Sequence, residues 1–168
     1  LTPDQVQQLQ DKADAIRRKR KEAIALTEEL LRSAFLDMFG DPVTNPKRWN
    51  VKSVSEVSES KQYGTAEKAN SDGNGIPVLR MGNLTSAGDI DTTDMKWVEL
   101  PESEAAKLDL REGDVLFNRV NSHELVGKTA VWHGGDGYTF AGYLIRLRIH
   151  KSVATGDYVA AAMNMPSI

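Results

Sequence analysis

The stretch NSHELVGKTAVW, residues 121–132, lies one glycine short of the phosphate-cradling loop G-x-x-x-x-G-K-[ST]. In such a loop the glycines let backbone N–H groups wrap around phosphates while the lysine reaches the outer ones. Gly127, Lys128 and Thr129 fit the pattern, and Ser122 stands where the first glycine belongs. The chemistry also needs a helix that opens at the loop and turns its N-terminus towards the phosphate. Thr129 instead leads into Ala130-Val131-Trp132 and then HGGDG, which read as a short strand and a turn. Nucleotide binding is therefore disfavoured.

A second constellation is acidic. Asp89, Asp91 and Asp94-Met95-Lys96 are the raw material of a metal-dependent nuclease, in which clustered carboxylates hold the cation and a lysine stands beside them. The same residues also make an ordinary polar turn ahead of a strand, and this second reading is preferred. His123, His133 and His150 lack the spacing of metal ligands and read as surface or turn histidines. With no cysteine in the chain, thiolate metal sites, disulfides and thiol nucleophiles are excluded together. A Gly-rich strand-to-helix loop for S-adenosylmethionine is missing, as is the Asn/Asp-Pro-Pro-aromatic motif of amino-methyl transfer. The expectation is a chain with no catalytic residue, no metal and no cofactor.

There remains a set of polar and aromatic residues beside glycines, in KQYGTAEK, LRMGNLTSAGD, FNRVNSHELVGK and FAGYLIRLR. Lys61, Tyr63, Thr65, Lys68, Arg80, Asn83, Arg119, Asn121, Ser122, Lys128 and Tyr143 are the types that bond phosphates and base edges, with Arg suited to guanine and Asn to adenine. Residue type alone leaves DNA contact and plain loop solubility both open. The net charge of −3 means that any DNA affinity must come from local patches.

The elements that must position these residues fall into two textures. From Pro3 to residue 39 there is no glycine and no further proline, Thr2 is a ready N-cap, and Gly40-Asp41-Pro42 is a stop. The pattern predicts one helix of about 55 Å. Val6, Leu9, Ala13, Ile16, Ala23, Leu30 and Ala34 form a three-four seam with Arg20 and Thr27 inside it, which asks for a partner helix. Ile24, Leu31, Phe35 and Met38 make a second stripe that widens the apolar face near the end, where docking on a globular body is expected. The run Arg17-Arg18-Lys19-Arg20-Lys21 points all round the helix, and acids balance bases at seven each, so a solvated face is expected. Beyond residue 49, short segments broken by glycine predict strands over 76–80, 95–100, 114–118, 129–132 and 138–149, a helical turn over 102–108 and a short helix over 158–163. In the last strand Ile145, Leu147 and Ile149 alternate with Arg146 and Arg148, predicting one apolar and one basic face. No apolar run reaches the roughly 20 residues of a membrane span, and the N-terminus lacks a signal-peptide core, so a cytoplasmic protein is expected.

Long, ordered stretches carry a resemblance. KADAIRRKRKEAIALTEELLRSAFLDMFGDPVTNPKRW is similar to the central conserved region of type I restriction-modification specificity (S) subunits, and GIPVLRMGNLTSAGDID, LREGDVLFNRVNSHELVGKTAVW and FAGYLIRLRI resemble the body of their target recognition domain. The resemblance implies an α+β fold: a conserved spacer helix over 1–40 pairing as a coiled coil, and a mixed, β-rich target recognition domain over 41–168. It implies sequence-specific binding of double-stranded DNA by a subunit that catalyses nothing, methyltransferase (M) subunits docked on it, the restriction (R) subunit reached through them, and a possible homodimer through the helix. The chain departs from the pattern in having one recognition domain and one helix, and in stopping at MNMPSI. That implies a half-subunit or fragment whose recognition domain is incomplete at its C-terminus. The alternatives are the small metal-dependent nuclease of Asp89, Asp91, Asp94 and Lys96, and a purely structural coiled-coil assembly protein.

Overall fold

The computed structural model describes residues 2–85, 87–120 and 126–165. The chain divides into two compact units, Leu1–Arg48 and Trp49–Ile168.

The first unit is built on one helix, α1, Pro3–Phe39. It starts where the Thr2 hydroxyl accepts the Gln5 N–H at 3.3 Å and the Gln5 side chain returns to the Thr2 N–H at 2.9 Å, with proline in the first turn. It ends at Gly40, whose φ of +80° suits a residue without a Cβ and whose N–H still reaches the Leu36 carbonyl at 2.8 Å. The Lys47 ammonium then caps the open end, donating to the carbonyls of Asp37 and Met38 at 2.6 and 2.8 Å, a cation where the helix dipole is negative. Arg17 pairs with Asp14 and Arg18 with Glu22 on the exposed helix surface, so the basic run is the solvated face expected of it. In the seam, Thr27 donates back to the Ala23 carbonyl at 2.9 Å, while Val6, Leu9, Ile16 and Leu30 are all exposed, Leu30 at 67%. Phe35 is the buried residue of α1, and its ring lies 5.0 Å from that of Phe39.

The second unit opens with a short capped helix, α2 (Val54–Val57), then β1 (Ser58–Tyr63), β2 (Ile76–Leu79), a 3-10 turn (Met81–Asn83), β3 (Lys96–Val98), α3 (Glu102–Leu108), β4 (Val115–Asn118), β5 (Thr129–Val131), β6 (Thr139–Phe140), β7 (Leu144–Ile149) and α4 (Gly156–Met163). Four strands form an antiparallel sheet in the order β1-β7-β4-β5, and three form a second sheet in the order β3-β2-β6, where β2 and β6 run parallel. Alternation on the first sheet separates two cores. Val115, Val131, Leu147 and Ile149 meet Val159 and Ala160 of α4 on one face. Leu116, Ala130 and Leu144 meet Leu79, Phe140 and Leu108 on the other, together with Trp132. The unit is thus helix on sheet on sheet. Each fully buried Leu or Phe contributes about 1.5–3 kcal/mol.

Two expectations need correction. The segment 138–149 is two strands in different sheets, because the chain turns at Ala141-Gly142-Tyr143 between β6 and β7. The basic face of β7 is not a surface: Arg146 is 5% exposed, and Arg148 donates through Nε and Nη2 to the two oxygens of buried Asp114, each at 2.8 Å. Arg146 lies over the Phe140 ring at 5.5 Å and donates to the carbonyls of Asp109 and Lys107 at 2.8 and 3.2 Å. Burial pulls the Arg146 pKa down, whereas the hydrogen bonds of Asp114 push that of Arg148 up. His133 is exposed, as a surface histidine should be, and it lies between two carboxylates. Its Nδ1 is 2.8 Å from Glu112 Oε1 and its Nε2 2.9 Å from Asp157 Oδ1, and Glu112 above all holds its pKa above the ordinary value.

Candidate nucleic-acid interface

Several strand ends converge at one end of the second unit. Tyr63, the last residue of β1, lies opposite Ile145 near the start of β7, and Asn118, the last of β4, lies opposite Leu144. The β6–β7 turn sits between them and ties the sheets together. Thr65 N–H donates to the Phe140 carbonyl at 3.0 Å, Gly142 N–H to Thr65 at 2.7 Å, Gly64 N–H to Leu144 at 3.3 Å and Ala141 N–H to Leu79 of β2 at 2.9 Å. The approach is so close that a Cβ on Gly64 would stand 2.1 Å from the Phe140 carbonyl oxygen. This explains why glycines recur in KQYGT and FAGY, a pairing that single-segment reasoning treats as loop punctuation.

Arg119 continues from β4 directly onto this end. Its N–H donates to the Tyr143 carbonyl at 3.2 Å, its Nη2 to the Gly142 carbonyl at 3.3 Å, and its guanidinium lies 5.1 Å from the centre of the Tyr63 ring. Tyr63 is 57% exposed. Among the described residues no carboxylate lies within 4.0 Å of Arg119, although Arg80, Arg146 and Arg148 each have one. The groups that hold Arg119 among the described residues are neutral.

The remaining expected site residues divide by what occupies them. Lys61, whose ammonium is 3.3 Å from the Ser55 hydroxyl, and Lys68 are exposed. Lys128 is half-buried; its carbonyl accepts the Asn118 N–H at 2.9 Å, which closes the β4–β5 connection. Tyr143 is half-buried against the core, and burial raises its pKa. Thr65 is buried, and its hydroxyl accepts the Glu67 N–H at 3.1 Å. Asn83 is buried as well: its carbonyl oxygen takes the Arg80 N–H at 2.8 Å, and its amide donates to the carbonyls of Asp91 and Asp94 at 2.8 and 3.0 Å. Arg80 donates through Nη2 to the Asp94 carbonyl and carboxylate at 2.8 and 3.0 Å. Asn121 and Ser122 lie outside the described residues, as does His123.

The same contacts account for the acidic segment and for the phosphate-loop likeness. Asp94 is paired with Arg80, Asp91 accepts the Thr93 N–H at 2.9 Å, a bond that keeps its pKa low, and Lys96 donates to the Ser71 hydroxyl. Among the described residues no three His, Asp or Glu side chains gather as a metal site. Gly127, with φ +86°, turns the chain into Thr129, which begins strand β5 and not a helix.

No protein-family profile matches the chain. Curated proteins do. The chain is 34% identical over 124 residues to the type I restriction enzyme EcoKI specificity subunit of Escherichia coli, covering 72% of this chain and 26% of that protein. It is 32% identical over 109 residues to the protein described as the type I restriction enzyme MjaX specificity subunit of Methanocaldococcus jannaschii, covering 64% of this chain and 25% of that one. Among solved structures, the HsdS subunit from Thermoanaerobacter tengcongensis matches with a TM-score of 0.57 and 25% identity, over 96% of this chain and 39% of that chain. A chain from a structure of the type I R-M system, solved for its complex assembly and conformational transition, shares the fold with a TM-score of 0.55 at 22% identity, over 96% of this chain and 40% of its own. The chain spans about a quarter of the curated relatives and about two fifths of the solved chains.

Proposed function

We propose, from the premise that this chain is a segment of a type I restriction enzyme specificity subunit, that it recognises double-stranded DNA and reads one part of a split target without catalysing any step itself. The observation that carries the reading is the cluster at the converging strand ends: an exposed tyrosine and an arginine ordered by contacts that are neutral among the described residues, with Lys61, Lys68 and Lys128 as further cations of the same unit. Such residues contact phosphates and base edges. Asn121 and Ser122 belong to the same proposal by sequence. Arg80, Thr65, Asn83 and Tyr143 shape the surface through the bonds they already make. The test is binding of the chain to duplex DNA at fixed salt. Changing Arg119 or Lys128 to Ala weakens binding, by about 1–3 kcal/mol where the lost contact is a bidentate base contact. Unchanged affinity in both variants rejects this placement.

The same premise supplies the partners: methyltransferase subunits, and through them the restriction subunit, inside the cytoplasm. Helix α1 is the spacer. Its exposed seam of Val6, Leu9, Ile16 and Leu30, with Ala13, Ala23 and Ala34 in the same line, gains about 1.5–3 kcal/mol for each large side chain that a second helix covers. Antiparallel pairing along about 55 Å of helix sets the separation of the two half-targets. Sedimentation across a concentration series, with Leu9→Asp and Leu30→Asp as controls, reads this directly. A wild type that stays monomeric and also fails to bind the methyltransferase rejects the spacer role. Among the described residues no helix is long and apolar enough to cross a membrane.

A further inference from the structure

Arginine has two ways to meet DNA. On a phosphate it acts as a cation, and affinity for every sequence benefits. On guanine it presents two parallel donors in one plane to O6 and N7, a contact that a guanidinium already fixed in direction makes at lower entropic cost. Arg119 has the second character. One Nη2 donor is anchored on the Gly142 carbonyl at 3.3 Å, the guanidinium carbon lies over the Tyr63 ring 5.1 Å from its centre, and the backbone N–H is tied to Tyr143 at 3.2 Å. Those three anchors come from the β6–β7 turn and the end of β1, two segments locked to each other around Gly64. A phosphate contact needs none of this; exposed Lys61 of the same unit is held, among the described residues, by a single side-chain hydrogen bond to Ser55 at 3.3 Å.

We infer that Arg119 is a base-reading residue for a G·C pair in the major groove, aimed by Tyr63 and Gly142, and that Tyr63 acts as a positioning residue through its ring and not its hydroxyl. The inference rests on the proposed recognition of DNA. It adds which contact discriminates between sequences, the class of base read, and the device that aims it.

The experiment is selection of duplexes from a randomised pool by the full chain, then affinity and salt titrations on the selected site and on copies altered one base pair at a time. The wild type selects a site with at least one invariant G·C pair. Arg119→Ala and Arg119→Lys both lose discrimination at that pair by about tenfold to a hundredfold, with preferences elsewhere kept. Tyr63→Ala blurs the same pair by a smaller factor, and Tyr63→Phe leaves it intact. The dependence of affinity on salt is nearly unchanged in Arg119→Ala. If instead that variant weakens all duplexes alike and the salt slope falls by about one, Arg119 sits on a phosphate; the inference is then overturned while the DNA-recognition reading stands. If Tyr63→Phe behaves as Tyr63→Ala, the aiming role of the ring is overturned. A wild type that binds no duplex overturns both readings together, and circular dichroism of each variant separates lost contacts from lost fold.

Discussion

Arg148 lies on β7 and Arg119 directly follows the neighbouring strand β4, and the fold uses them in opposite ways. Arg148 meets the carboxylate of Asp114 with two donors, and Asp114 also takes the Arg111 N–H at 2.9 Å, so charge and geometry are both committed inside the molecule. Arg119 is held by a carbonyl and an aromatic ring, with no carboxylate among the described residues within 4.0 Å of it. The difference lies in what surrounds each arginine. A buried ion pair is costly to break yet adds modest net stability, whereas an arginine ordered by neutral groups is a binding device carried at little expense to the fold.

That contrast can be broken experimentally, and the largest effect belongs to the buried side. Asp114→Ala leaves Arg148 and nearly buried Arg146 without their carboxylate and destabilises the second unit by about 3–5 kcal/mol in urea unfolding. A loss under about 1 kcal/mol would mean that water replaces the carboxylate and that the site is open to solvent. Gly64→Ala comes next. Its methyl must displace the Phe140 carbonyl, at about 1–3 kcal/mol, and because the same turn carries Gly142, specific DNA binding falls further than stability does. Arg119→Ala is the inverse of Asp114→Ala: unfolding free energy stays within about 0.5 kcal/mol while DNA binding weakens. The smallest effect is on pH. With its pKa raised by Glu112 and Asp157, His133 stabilises the fold fully below its unfolded value of about 6.5, and the contribution fades as pH rises through the higher folded value. The imidazole is half exposed, so screening keeps the effect below about 1 kcal/mol. His133→Gln should therefore lower stability below about pH 6.5, with the deficit shrinking as pH rises through the raised folded value; a deficit that grows with pH contradicts the two-carboxylate clamp.

How much could be read from sequence depended on whether the deciding interaction was local. The helix Pro3–Phe39 needed only a Thr2 cap, helix-favouring residues and Gly40, all within one segment, and it was legible to the residue. The core strands β2, β4 and β5 announced themselves through apolar runs. Strand β1 did not, because SESKQY is exposed along nearly its whole length and owes its conformation to β7, distant in sequence. The arginines of β7 misled for a related reason: alternation says which residues share a face, not whether a carboxylate waits beneath it. At the candidate interface the residue types were legible, but their pairing was not. Nothing in KQYGT or FNRV alone tells that Tyr63 and Arg119 touch, and nothing local distinguishes Asn83, wholly engaged by its own loop, from an asparagine free to meet a base.

The register of β1 against β7 also governs how the second unit comes into being. Ser58 pairs with Ile149 and Tyr63 with Ile145, so the earliest strand of the unit finds its sheet partner after nearly everything between them has been synthesised. Nucleation must begin elsewhere, on the nearby antiparallel neighbours β4, β5 and β7, and β1 joins late, as long-range pairings do when loop-closure entropy is met last. Through that interval β1 is an open edge on an emerging chain. Its polar composition, with Glu59 and Lys61 where an apolar strand would carry valines, keeps it from annealing to other nascent chains before its proper neighbour arrives.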